Sequence, residues 1–145
     1  MTPTPPPAAI VAPALLPGHA VDLSRIASAL RSVETADRRH PSRGRHGEGG
    51  AYQMKREAWE SVTDLPFEDS DDPELAQTVC WLYLWHLQLA LERNGLTATP
   101  EAIIGAFKLG LRDFLAGRAT PAQLDAIRRA SRLYYASLVQ PGDTP

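Results

Sequence analysis

Three short stretches of this chain carry residue types that could do chemistry together. The first is Glu34-Thr35, at the end of an apolar-striped segment. The second is Gly49-Gly50-Ala51-Tyr52-Gln53-Met54, which closes a basic, glycine-rich stretch. The third is Gly105-Ala106-Phe107-Lys108-Leu109-Gly110, at a predicted helix end. Glu34 lies four residues after Leu30 and seven after Ala27, which puts it on the edge of an apolar helix face rather than among Arg25 and Arg31. A carboxyl there loses hydration, which disfavours its charged form and suits it to give a proton to a leaving oxygen. Protonating a glycosidic oxygen is one reaction that uses such a group. A glycine turn lets backbone approach a ligand closely, and a tyrosine and an amide beside it can bind hydroxyl and acetamido groups. Each stretch also has a plain structural reading. Glu34 can pair with Arg31 or Arg38, Tyr52 can pack in the core, and the third stretch alone is a helix terminus.

The elements that must hold these residues are helical. Leu23, Ile26, Ala27, Leu30 and Val33 recur at helical spacing and predict a helix over about 23–36 behind Asp22 as N-cap. A short helix is expected over about 55–62, with Ala58, Trp59 and Val62 facing inward, and an acidic connector follows it over 65–71. Asp72-Pro73 opens a long helix that Gly95 ends. Its stripe of Leu75, Val79, Leu82, Tyr83, His86, Leu89 and Ala90, widened by Trp81, Trp85 and Leu87, predicts a central helix covered on most sides. On that reading His86, Trp81 and Trp85 belong to the core. Thr99-Pro100-Glu101 opens another helix that meets Gly110, and Leu111–Leu115 adds a turn or two. Thr120-Pro121-Ala122-Gln123 opens the last helix with a capping box, carrying Leu124, Ile127, Leu133, Tyr134 and Leu138. The expected fold is all-α, about five helices with a long central one and a glycine-rich loop or small hairpin beside a cleft.

Composition narrows the class. The chain has 145 residues, 43% of them hydrophobic and 22% charged, enough for one domain with a core. A net charge of −2 gives no global drive toward nucleic acid or membrane, and no unbroken apolar run is long enough to span a bilayer. The one cysteine, Cys80, excludes an internal disulfide and a cysteine-based zinc cluster, and its apolar surroundings predict a buried thiol. His40 and His46 lack a third ligand at zinc spacing, so no metal and no cofactor is expected. Residues 1–21 are rich in Pro and Ala, lack a basic start and are interrupted by Pro13 and Pro17, which reads as a leader rather than an export signal. The domain is expected over 22–140, with 141–145 as a tail. The cluster from Arg38 to His46 reads either as a solvated loop pairing with Asp37 and Glu48 or as a contact for an anionic polymer.

In order and spacing the three stretches resemble the lysozyme-like superfamily, closest to soluble lytic transglycosylases and goose-type lysozymes. In that family a glutamate at a helix end is followed by serine, here Glu34-Thr35. A motif of the form Gly-x-Tyr-Gln-Ile or Gly-x-x-Gln-Met comes next, here Gly50 to Met54. Ala-x-Asn-x-Gly follows later, here Ala106-Phe107-Lys108-Leu109-Gly110, and then a late helical tyrosine, here Tyr134 or Tyr135. Invertebrate-type lysozymes are similar around Tyr52 to Lys55 and Trp59. The resemblance spans about 23–135. It implies cleavage of the β-1,4 bond between N-acetylmuramic acid and N-acetylglucosamine in peptidoglycan, with Glu34 as acid. Thr35, Tyr52, Gln53, Met54, Phe107, Lys108 and Tyr134 would contact the glycan. An active enzyme of this kind would work in the periplasm, outside the cell or on a virion. Lys108 departs from the family asparagine. A lysine facing Glu34 favours the carboxylate and opposes proton donation, which points to the alternative of a silent glycan-binding or structural module of the same fold. A small helical domain contacting nucleic acid through Arg38 to Arg45 is the further alternative.

Overall fold

A computed structural model describes residues 20–35 and 47–139. The expectations for the leader, for Asp37, for the cluster from Arg38 to His46 and for the tail lie outside the described residues. Among the described residues six α-helices follow one another: α1 (Leu23–Thr35), α2 (Arg56–Val62), α3 (Pro73–Arg93), α4 (Pro100–Leu109), α5 (Leu111–Leu115) and α6 (Pro121–Leu138). A 3₁₀ turn, Phe67–Asp71, lies between α2 and α3. Among the described residues there is no strand, only one isolated antiparallel bridge between Gly49 and Met54. The fold is all-α, as its helical periodicities predict. Among the described residues no helix is long and apolar enough to cross a membrane.

The helix starts follow local chemistry. Asp22 Oδ1 accepts the Ser24 and Arg25 amides, and its carboxyl is held below the usual carboxylate range, first by the Ser24 hydroxyl. Asp72 accepts from the Glu74 and Leu75 amides, and Thr99 from that of Ala102. Thr120 and Gln123 cap each other reciprocally. These bonds satisfy amides that the first helical turn leaves without partners.

The long helix α3 packs against α1, α2, α4 and the 3₁₀ turn, and α4 is the helix most completely buried. From Pro100 to Ala106 every residue of α4 is buried, and the helix touches α1, α3, α5 and α6. Its small residues Ala102, Gly105 and Ala106 let the neighbours approach closely. The long helix α3 buries one side, that of Ala76, Val79, Cys80, Leu84, Leu87, Ala90 and Leu91. Trp81, Leu82, Trp85 and His86 are exposed, contrary to the predicted wide stripe. On α6 the buried face is Ala126, Ile127, Ala130, Ser131 and Tyr134, and Leu133 turns outward. In α3 apolar residues circle the axis, and the partners decide which side is covered.

Trp59 anchors α2. It is fully buried, meets the Phe67 ring edge-on, and its Nε1 donates to the Leu65 carbonyl at 2.8 Å. The expected acidic connector is therefore a structured turn that buries Phe67 and Ser70.

Two buried titratable groups give tests of the core. Cys80 is fully enclosed and desolvation pushes its thiol far up. Thiol reagents are expected to leave Cys80 unmodified in the native protein and to label it at least about a hundredfold faster in urea. Fast native labelling would contradict this packing. Glu101, at the start of α4, accepts from the Tyr135 hydroxyl at 3.0 Å, and desolvation pushes its carboxyl up from an ordinary value of 4.5. The native state thus holds a proton here more tightly than the unfolded chain. That contribution to stability is complete below the ordinary glutamate range and is lost as pH rises through the raised native value. Glu101→Gln, which keeps an acceptor for Tyr135, is expected to match the wild type near pH 4 and exceed it in urea midpoint near pH 7. Equal midpoints at both values would contradict a desolvated Glu101.

Candidate functional site

A cleft of about 660 Å³ opens where the last turn of α1, the turn 49–54, the outer face of α2, the middle of α3 and the α4–α5 junction meet. That volume lies within the range of small-molecule sites. Glu34, Gln53, Met54, Phe107 and Lys108, all singled out by their residue types and order, line it. They come from three elements separated widely in the chain.

Glu34 and Lys108 are bonded to each other, Nζ to Oε1, across 74 residues of sequence. Their side chains are only 15% and 21% exposed. The lysine expected to compromise the family arrangement therefore faces the carboxylate directly. An ammonium donating into a carboxylate at a partly shielded site is a charge-assisted hydrogen bond, stronger than its surface equivalent.

The turn from Gly49 to Met54 is a small closed loop. Gly49 and Met54 exchange backbone hydrogen bonds at 2.9 and 3.1 Å. Gly50 has φ +75° and Gln53 has φ +50°, a left-handed conformation uncommon for a side chain larger than glycine. The Gln53 side chain is bonded back to the Gly50 carbonyl, Nε2 to O at 2.8 Å, which holds the amide against the turn at the cleft wall. Left-handed backbone at a ligand-facing residue is the kind of local strain that clusters at functional sites.

Two of the expected ligand contacts are placed elsewhere. Tyr52 is 3% exposed and belongs to the core. Gly50 presses against the Ser70 carbonyl and Ala76 at the start of α3, and Ala51 and Tyr52 are buried with that seated side of the turn. Tyr134 is also buried. Its hydroxyl accepts from the Asp22 amide at 3.1 Å and its ring meets Tyr135 edge-on, tying α6 to the start of α1. Thr35 is the last residue of α1, and its side chain lies outside the described residues.

The cleft also contains residues that the sequence does not mark out. Tyr83 and His86 stack at 6.0 Å with their planes 16° apart, and Tyr83 meets Phe107 at 5.8 Å. Phe107, Tyr83 and His86 form an aromatic wall of the cleft. His86 is thus an exposed cleft residue and not the core histidine that its place on the α3 stripe suggests. Desolvation pushes the Tyr83 hydroxyl up, so it stays a neutral donor at physiological pH. The available signal was the pairing of two polar-tipped rings at i and i+3 on a helix. Glu48, Glu57 and Asp113 supply further carboxylates along the walls, and Lys55 and Arg112 further cations. Among the described residues no group of three or more His, Cys, Asp or Glu converges as metal ligands do.

The cleft thus combines an aromatic wall and a fixed amide with the Glu34–Lys108 pair, three further carboxylates and two further cations. No protein-family model, no curated protein and no solved structure matches the chain.

Proposed function

We propose that the cleft takes an amino-sugar glycan of the peptidoglycan type and that Glu34 acts on its β-1,4 bond between N-acetylmuramic acid and N-acetylglucosamine. One observation carries this reading. Glu34, the Gln53-Met54 turn and the Phe107-Lys108 pair meet in one open cleft, the three stretches whose order resembles the lysozyme-like superfamily. In this reaction Glu34 gives a proton to the leaving glycosidic oxygen as the bond to the anomeric carbon breaks. The resulting carboxylate then takes a proton from an attacking hydroxyl. An internal sugar hydroxyl gives an anhydro product, and a water gives hydrolysis. Glu48 also lines the cleft and is a second carboxylate available to a water. The Phe107–Tyr83–His86 wall would hold a sugar face, and Gln53 would read an acetamido group.

The Glu34–Lys108 ion pair favours a second reading. Lys108 Nζ occupies a Glu34 carboxyl oxygen that a leaving glycosidic oxygen would otherwise meet. With the pair closed, the cleft would bind glycan without turning it over.

A suspension of purified cell walls tests both. The protein is expected to sediment with the walls, and Glu34→Gln is expected to keep that binding while removing any clearing of the suspension. Clearing unchanged by Glu34→Gln would take the acid role from Glu34. Absence of wall binding by either protein would contradict both readings.

A further inference from the structure

The outer face of α3 holds the largest exposed aromatic surface among the described residues. Trp81, Leu82 and Trp85 are 40%, 41% and 55% exposed. Trp81 and Trp85 lie one helical turn apart, about 6 Å along the axis, so two flat rings follow one another on the surface. Leu82 neighbours Trp85 at i+3 and His86 at i+4, and His86 belongs to the cleft wall. Phe107, Tyr83, His86, Leu82, Trp85 and Trp81 therefore make one strip leading from the cleft to the outside of α3.

On α3 itself the residues beside this strip are uncharged. From Ala76 to Leu91 the helix carries no Asp, Glu, Lys or Arg. Its polar members flanking the tryptophans are Gln77, Thr78 and Gln88. An anionic membrane surface would call for cations here. Flat apolar rings edged by amides and a hydroxyl match a sugar ring, which offers an apolar C–H face and polar edges.

We propose that Trp81, Leu82 and Trp85 form an outer sugar-stacking platform that continues the cleft along α3 and holds a long glycan strand beyond the sugars at Glu34. This rests on the glycan reading of the cleft. The platform makes the protein a reader of strand length: short oligomers meet the cleft alone, and long strands meet cleft and platform together.

Intrinsic fluorescence reads the platform selectively, because Trp59, the third tryptophan, is fully buried. The probes are a peptidoglycan tetrasaccharide and long uncrosslinked glycan strands, titrated into Glu34→Gln so that strands stay whole. Long strands are expected to shift tryptophan emission, and the tetrasaccharide is not. Replacing both Trp81 and Trp85 by Ala in that background is expected to weaken long-strand binding at least about tenfold and to leave tetrasaccharide affinity unchanged. Both side chains are exposed, and an unaltered far-ultraviolet circular dichroism spectrum shows that the variant folds. Long-strand affinity unchanged by the double substitution overturns the platform and leaves the cleft reading intact. No binding of either probe overturns the cleft reading and the platform with it. A dimer that the substitutions convert to monomer without loss of long-strand affinity assigns the face to a second copy, and an emission shift with phosphatidylcholine vesicles but none with strands assigns it to a membrane. Either result overturns the proposal.

Discussion

Lys108→Asn is expected to raise the rate of cell-wall clearing at least about tenfold over the wild type, and Glu34→Gln in the same background to abolish the gain. The expectation follows from what touches Glu34. Its carboxylate is bonded to Lys108 at a site where both side chains are mostly shielded from water. General acid catalysis contributes about two to four orders of magnitude to a rate, and only an acid free to meet the leaving oxygen can supply it. An asparagine is shorter, keeps a donor at that position and frees the Glu34 oxygen that the lysine occupies. The same change carries a cost in stability of about 1–3 kcal/mol, because a partly buried carboxylate loses its counter-ion. Clearing and urea midpoint should therefore move in opposite directions. A Lys108→Asn protein that is less stable and no more active would show that the pair is structural and that the cleft binds without turnover.

Gly50→Ala is expected to lower stability by about 2–6 kcal/mol, a large share of the total for a domain of this size. Two effects add. At φ +75° a side chain is strained, and a Cβ there would lie 1.9 Å from the Ser70 carbonyl oxygen and 3.0 Å from its carbon. Those are backbone atoms of the 3₁₀ turn that precedes α3 and cannot swing aside. Gly95→Ala separates the two effects. Gly95 also has φ +75°, but nothing lies within 4 Å of its would-be Cβ. That variant should lose only the backbone term, about 1–2 kcal/mol. Equal losses at the two positions in urea denaturation would contradict the close seating of the turn on Ser70. The seating matters to function because it fixes Gln53 at the cleft wall.

The parts of this molecule that could be read from its sequence are the ones local chemistry decides. Asp72-Pro73, Thr99-Pro100 and Thr120 with Gln123 announce their helices because capping bonds reach only two or three residues. The buried face of α3 could not be read in the same way. Its apolar residues surround the axis, and only the positions of α1, α2 and α4 decide that Leu84 goes inward and Trp85 outward. Tyrosines and histidine were misplaced for a related reason. A ring with a polar tip fits a core that offers one partner, as Tyr134 does with the Asp22 amide, and fits a cleft wall equally well, as Tyr83 and His86 do. Glu34 and Lys108 stand 74 residues apart. Nothing in spacing or periodicity joins them, and only the order of motifs put them in one site.

The central claim is that a glycan occupies the cleft beside Glu34. Amide chemical-shift mapping with a peptidoglycan tetrasaccharide tests it most directly. The largest shifts are expected at Gln53, Met54, His86, Phe107, Lys108 and Gly110, with the outer face of α6 unmoved. Saturating tetrasaccharide that moves none of these amides, or only those of α6, would contradict the claim.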